Sequence, residues 1–459
     1  MPQGGYQRHK LTSLDDVSAL TEFYYTAKSN MIAQSSFAFN QRTFDLVSNS
    51  SLSRKKSRIL VRCISSPLSV TSEGGSIIGI PREDNSADFS FVEHRDGCKI
   101  TQIDTQETAE AFVKERLYEL DTSLAISKSA KADIICFGEF AYPAPRPLRD
   151  GLSIRGITGY GEFRIKFEEQ IKDRLQMHPN LFLLMGSYHC PITLYNCAVI
   201  FPHSGANKTV DYDLYSDRND LLIERQSLPE TTGHQTLAPI LHEKRFPAKR
   251  AGEKTRTPTN LNFDFFQTRY GKIAILICSD VVDLNQFSLI IRKNEFSNKH
   301  DKKDRIEIVL IPSYNRSSIL NNMCRDLSFL ASTFVIVVNA NSGEFNFPDT
   351  TLYFCGMEYS ELVNQKSQVR DSIKKEYEDR ILISHQKHEF HHQVVSDAKP
   401  NRIFSIHDFV IDLEAVEPVL HDFLQLMAPL QPRGFNRQSA FLENTDRFKG
   451  IKDDLFGAS

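Results

Sequence analysis

The chain has 459 residues, 40 % of them hydrophobic and 25 % charged, and its 55 basic and 58 acidic side chains leave a formal charge of −3 at pH 7. That suits a globular protein of two or three domains, or one large domain with extensions, and excludes a global field aimed at nucleic acid or a membrane surface. The eight cysteines are dispersed without a C-x-x-C pair, no apolar run approaches the roughly 20 residues of a membrane helix, and no signal-peptide core opens the chain, so the expectation is free thiols in the cytoplasm.

In chain order, Thr12 to Asp16 reads as a helix N-cap with acidic residues in the first turn, and a helix runs on to about Lys28. Residues 48–57 read as a polar loop, Ile59 to Ile64 as a strand, and 71–89 as a Gly/Ser-rich loop or linker. Residues 1–95 are therefore read as an N-terminal extension or small accessory domain. The main domain spans 96–413, and 414–459 is a helical or extended tail. Cys98 to Ile103 alternates like a strand. Gln106 to Lys131 carries a helical stripe of Ala111, Leu117, Leu120, Leu124 and Ile126, and Ala132 to Phe137 is a short apolar strand. Together they read as one βαβ unit. Glu139 follows directly, at a strand's carboxyl end, where open α/β sheets place ligands. Burial there would raise its pKa and suit it to general-base work, although a glutamate in a loop is more often simply exposed.

A second helix is expected over Glu162 to Met177, then strands over Leu181 to Tyr188 and Tyr195 to Phe201. Pro202-His203-Ser204-Gly205 reads as a turn into an antiparallel partner strand, Thr209 to Leu214, and 215–240 as a polar surface insertion. Lys244 sits beside Phe246 and Pro247, where partial burial would make it a fixed cation able to hold an oxyanion. The run around it is basic, with Lys249 among its members, and taken locally a solvated charge run is the commoner meaning. Glu253 lies nine residues further on.

Leu261 to Thr268 and Lys272 to Cys278 form a predicted hairpin with Tyr270-Gly271 in its turn. The β-branched run Ile273 to Ile277 stops at Cys278, and a helix is expected to follow. A sulfur at that junction lies near unpaired backbone N–H groups, which favour the thiolate. In isolation, a cysteine in an apolar run is more often a small core residue. Beyond it come a helix (Leu284 to Lys293), a strand (Ile306 to Pro312), a helix (Asn321 to Ser332), and strands over Phe334 to Ala340 and Leu352 to Met357. Gln365 to Arg380 reads as a charged helix. His385, His388, His391 and His392 cluster around Glu389, and helical spacing could join two or three of them, but they match no metal signature and no metal site is expected. Phe404 to Leu413 is strand-like and Ala415 to Met427 helical.

Three stretches in order, A-D-I-I-C-F-G-E-F, H-E-K-R-F-P with a trailing G-E, and G-K-I-A-I-L-I-C-S-D, resemble the nitrilase, or carbon-nitrogen hydrolase, superfamily. M-G-S-Y followed by Y-N-C-A-V-I-F-P-H-S-G, then I-V-L-I-P-S-Y and F-V-I-V-V-N-A-N-S-G, are similar to it as well, so that the likeness covers about Cys98 to Met357. The resemblance implies an α+β fold, an αββα sandwich of two mixed six-stranded sheets with helices outside, and pairing through a helical face into a homodimer or higher oligomer. It makes Cys278 the nucleophile, Glu139 the general base and acid, Lys244 the oxyanion cation, Glu253 a second glutamate orienting Lys244 or the attacking water, and the Ser279 backbone N–H the remaining oxyanion donor. No metal or organic cofactor is implied.

This sequence departs from the family pattern in three places. Gly138 stands where the family has proline. Arg245-Phe246 follow Lys244 in place of a histidine-leucine pair, which makes Lys249 a rival. Leu330-Ala331 replace Glu-Asn after Arg325. The activity implied is an amidase-type hydrolysis of a small-molecule amide, ahead of a nitrile. The alternatives are a glutaminase feeding ammonia to a partner enzyme, and a binding or effector scaffold whose extensions recruit a protein partner.

Overall fold

The structure, a computed structural model, describes residues 41–47, 57–67, 76–77, 92–93, 99–101, 106–126, 131–142, 166–189, 196–202, 209–215, 221–227, 239–246, 263–299, 305–314, 318–340, 349–354, 357–358, 382–392 and 403–413. In chain order these carry β1 (Gln41–Asp45), β2 (Arg58–Ser65), β3 (Ser76–Ile77), β4 (Val92–Glu93), β5 (Lys99–Thr101), α1 (Gln106–Ala125), β6 (Ile134–Phe137), α2 (166–176), β7 (Phe182–His189), β8 (Asn196–Phe201), β9 (Thr209–Tyr215) and β10 (Leu221–Ser227). They continue through β11 (Ile240–Glu243), β12 (Phe263–Thr268), β13 (Gly271–Ile275), a 3₁₀ turn (Cys278–Val282), α3 (Leu284–Lys299), β14 (Ile306–Ser313), α4 (Ser318–Leu330), β15 (Phe334–Asn339), β16 (Thr351–Phe354), β17 (Met357–Glu358), β18 (Leu382–His391) and β19 (Ile403–Asp412).

Two large mixed sheets face each other. One has the strand order β11-β8-β7-β6-β2-β19-β18, the other β10-β9-β1-β12-β13-β14-β15-β16-β17. The period-two alternation of the strands shows how they stack. In the seven-stranded sheet Val61, Cys63, Ile134, Cys136, Leu184 and Ile200 point into the core shared with the other sheet. Their neighbours Ile64, Ile135, Phe137, Leu183 and Val199 point the opposite way, onto Leu117 and Leu120 of α1 and Ile171 and Leu175 of α2. Phe182 meets Phe266 edge-on across the sheet interface, with ring centroids 6.1 Å apart. The outer side of the nine-stranded sheet is covered by Phe287 and Ile291 of α3 and Met323 and Leu327 of α4, all 1 % exposed or less. The result is the four-layer αββα sandwich that the resemblance implied, with nine and seven strands among the described residues rather than six and six.

Several expectations change. β1 pairs in parallel with β12, and β2 lies between β19 and β6 in the middle of its sheet, so part of 1–95 belongs to the sandwich and not to an appended domain. Every residue of β2 after Arg58 is buried, a demand no peripheral extension makes. β6 takes β2 as its parallel neighbour, while β5 joins β3 and β4 in a small separate sheet, so the strands flanking α1 in the crossover are β2 and β6. β8 and β9 do not form a hairpin: both sides of β8 are taken by β7 and β11, and β9 pairs with β1 and β10 in the other sheet. Residues 221–227, expected in an irregular insertion, are strand β10. The β12–β13 hairpin forms as expected, but its turn is Arg269-Tyr270, one residue earlier than read, and Gly271 opens β13 with φ +100°, where a Cβ would collide with the Glu307 carboxylate. The helices expected at 12–28, 365–380 and 415–427, and the C-terminal tail, lie outside the described residues.

His385, His388 and His391 lie on β18, an edge strand, not on a helix. Strand geometry separates them: His385 stacks on Phe409 at 4.6 Å, while His392, just past the strand, bonds Glu119 at 2.9 Å. Among the described residues no group of three His, Cys, Asp or Glu could hold a metal ion. His385 instead meets His407 of β19, nitrogen to nitrogen at 3.4 Å, and the other His407 nitrogen meets Ser405 Oγ at 3.1 Å. Burial pulls the His407 pKa down to about 4. The unfolded chain, with a histidine pKa of about 6.5, then binds more protons than the native state between those values, so stability is full above that window and falls as the pH drops through it. A His407→Gln variant is expected to escape roughly 3 kcal/mol of that acid loss, read as a narrowing gap to the natural protein in urea unfolding at pH 7 and pH 4.

Candidate active site

The two sheets bring strand ends together at one edge of the sandwich. β6 is followed directly by Gly138-Glu139. The segment after β11 carries Lys244. β13 runs into Leu276-Ile277-Cys278, and β14 ends in Ser313, with Tyr314 just past it. Gly138 is demanded by the packing: a Cβ there would lie 2.8 Å from the Ala340 backbone nitrogen, just past β15. A proline, which the family pattern has at this position, would meet the same backbone. The Ala340 N–H also donates to the Ser313 carbonyl at 2.8 Å, so the ends of β6, β14 and β15 interlock.

Glu139 is 1 % exposed. Lys244 Nζ donates to its Oε1 at 2.8 Å and Asn196 Nδ2 to the same oxygen at 3.0 Å. The Tyr314 backbone N–H donates to Oε2 at 2.9 Å. A carboxylate this deep is tolerable only with such donors, and Lys244, itself 2 % exposed, is the compensating charge. The Lys244 N–H in turn donates to the Asn196 carbonyl at 2.6 Å, which fixes the base of the lysine to β8.

Cys278 takes φ +47°, a left-handed conformation rarely adopted by a residue with a side chain. The strained corner lies between β13 and the 3₁₀ turn, and the first N–H groups of that turn have no acceptor within it. Ser279 is the second residue of the turn, and its hydroxyl donates to the Phe246 carbonyl. Asp280, fully buried, ties the corner to the lysine segment: it accepts the N–H groups of Arg245 at 2.9 Å, Phe246 at 2.8 Å and Ile277 at 3.0 Å. The Cys278 corner and the segment after Lys244 are thereby held by one side chain.

The expectation of a ready thiolate is corrected. Burial, and then the Glu139 charge, push the Cys278 thiol well above its ordinary pKa, against the smaller opposing pull of Lys244 and of the Ser313 and Tyr314 donors. Glu139 is the anion whose charge acts on this thiol.

Of the residues singled out in the sequence, Glu139, Lys244, Cys278 and Ser279 converge here. Glu253 and the rival Lys249 lie outside the described residues. Sequence reasoning missed Asn196, Asp280, Ser313 and Tyr314. Asp280 was the most accessible, as an acidic residue two places after the cysteine in an otherwise apolar run. Asn196 opens a fully buried strand, a position costly for an amide without a partner.

No family model matches the chain, and neither does any curated protein. Among solved structures it is similar to the glutamine-dependent NAD+ synthetase from Acinetobacter baumannii, with 10 % identity over 66 % of this chain and a TM-score of 0.32. This chain spans 42 % of that synthetase's length. It is also similar to an amidase from Nesterenkonia sp., at 9 % identity, 68 % and 88 % of the two chains and a TM-score of 0.31. A CN-hydrolase superfamily protein from Xanthomonas campestris matches at 12 % identity, 83 % and 98 % of the two chains and a TM-score of 0.37. At these scores the side-chain geometry, not the likeness, carries the functional reading. Among the described residues, no helix is long and apolar enough to cross a membrane.

Proposed function

We propose that the protein is a cysteine-dependent hydrolase of the carbon-nitrogen hydrolase superfamily, acting on a non-peptide C–N bond, amidase fashion, through a thioester on Cys278. The observation that carries this reading is the buried Glu139 carboxylate held between Lys244 at 2.8 Å and the Tyr314 N–H at 2.9 Å beside a cysteine at a left-handed corner. A small-molecule amide is preferred to a nitrile because attack on an amide develops an oxyanion, which a fixed cation such as Lys244 can hold.

The chemistry balances with the chain's own residues. As Cys278 sulfur attacks the carbonyl carbon, its proton passes to Glu139, and the carbonyl π electrons move onto oxygen. Lys244 Nζ and the Ser279 N–H stabilise that oxyanion, each worth about 3 kcal/mol in sites of this kind. When the tetrahedral centre collapses, Glu139 returns its proton to the departing amine, leaving the thioester. Water then attacks the thioester carbon as Glu139 takes its proton, the thiolate is expelled and reprotonated, and a carboxylic acid leaves.

The test is peptide mass spectrometry of the acyl group on Cys278 after exposure to a metabolite extract. An adduct on Cys278, absent from Cys278→Ala and from the other cysteines, is expected, and its mass names the acyl donor. A protein that acquires no adduct, and whose Cys278→Ala variant behaves identically in every hydrolytic assay, would be a scaffold and not this enzyme.

A further inference from the structure

We infer that Ser313 activates the nucleophile: its hydroxyl donates a hydrogen bond to the Cys278 sulfur, and that bond strengthens as the thiol loses its proton to Glu139. The inference deepens the hydrolase reading and rests on it. Ser313 Oγ lies 3.6 Å from Cys278 Sγ, an ordinary length for a hydroxyl donating to sulfur, and both residues are buried, Ser313 completely. Its place is fixed independently of the contact. Ser313 is the last residue of β14, in register with Asn339 of β15, and its carbonyl accepts the Ala340 N–H at 2.8 Å. The next residue, Tyr314, gives its N–H to Glu139 Oε2 at 2.9 Å and also faces the sulfur. One strand end thus touches base and nucleophile together, and sets how far apart they stand.

The electrostatics explain why a neutral donor matters here. The groups facing the sulfur are Glu139 from β6, Lys244 from the segment after β11, the Ser313 hydroxyl and Tyr314 N–H from β14, and Cys324 from α4. Glu139 and Lys244 are already spent on each other at 2.8 Å, so the cation is only partly available to a forming thiolate. The Ser313 hydroxyl carries no competing charge and leaves the Glu139–Lys244 pair intact. A hydrogen bond to a charged acceptor is among the stronger ones in proteins, and it is worth most where water is excluded.

The experiment is the pH dependence of Cys278 alkylation by iodoacetamide, followed peptide by peptide, in the full chain and in Ser313→Ala and Ser313→Thr. Alanine is expected to shift the Cys278 profile upward by about one pH unit, roughly a tenfold slower alkylation at a fixed pH on the rising limb. Threonine keeps the hydroxyl and is expected to hold the profile near the natural one, whereas a purely packing role would move with side-chain volume and not with the hydroxyl. An Ala profile that overlays the natural one, with the fold intact by circular dichroism, overturns the inference and leaves the hydrolase reading to the acyl-adduct test. A natural protein whose Cys278 no pH renders reactive overturns both.

Discussion

Glu139→Gln is expected to slow release of the acyl group from Cys278 by about 10²–10⁴-fold, the usual worth of a positioned acid-base group. The adduct should therefore accumulate on Cys278 once it forms, although its formation is slowed as well. The amide cannot copy the carboxylate here. Oε1 receives donors from Lys244 and Asn196, and Oε2 receives the Tyr314 N–H. Whichever way the glutamine is turned, its NH₂ group opposes a donor, a buried conflict costing about 1–3 kcal/mol, and Lys244 loses its counter-charge besides. Single-turnover decay of a preformed adduct, measured beside urea unfolding, separates the chemical loss from the structural one. A variant that is destabilised but deacylates at the natural rate would remove Glu139 from the reaction.

How much of this was legible in the sequence follows from what each residue needs. The central strands were readable because burial on both faces forces an apolar, β-branched run, as in β14 and β15. β1 and β10 were not, because Q-R-T-F-D and L-L-I-E-R-Q-S carry polar side chains that a neighbour in the sheet, and not the local pattern, makes tolerable. The same limit hid β18: a strand of histidine and mixed polar residues has no apolar periodicity of its own and is defined by its pairing to β19. For the site, Glu139, Lys244 and Cys278 could be picked out because each follows a recognisable strand in a familiar order. Asn196, Ser313 and Tyr314 could not, since their contribution is a donor aimed across the gap between two sheets, and sheet-to-sheet placement is not written in local spacing. The thiol's elevated pKa was missed for a related reason: the helix-start argument counts nearby N–H groups and not the desolvation and the glutamate that outweigh them.

Lys244→Met should be the more damaging of the two substitutions. Methionine fills much of the lysine stem's volume but leaves Glu139, 1 % exposed, without that cation, while the Asn196 and Tyr314 donors stay in place. Breaking a buried pair from one side costs about 3–5 kcal/mol, because the remaining charge stays in a medium that cannot solvate it. The carboxyl would relieve that cost by binding a proton, which also disarms it as a base. Loss of the oxyanion cation adds about 10²–10³-fold to the rate deficit. Acyl-adduct formation on Cys278 should fall below detection, and urea unfolding at neutral pH should show the lost stability. The parallel Lys249→Met variant decides the rivalry between the two lysines. Stability and adduct formation should be unchanged in it, and a protein that lost the adduct with Lys249→Met while tolerating Lys244→Met would move the oxyanion cation out of the pair that Glu139 now holds at 2.8 Å.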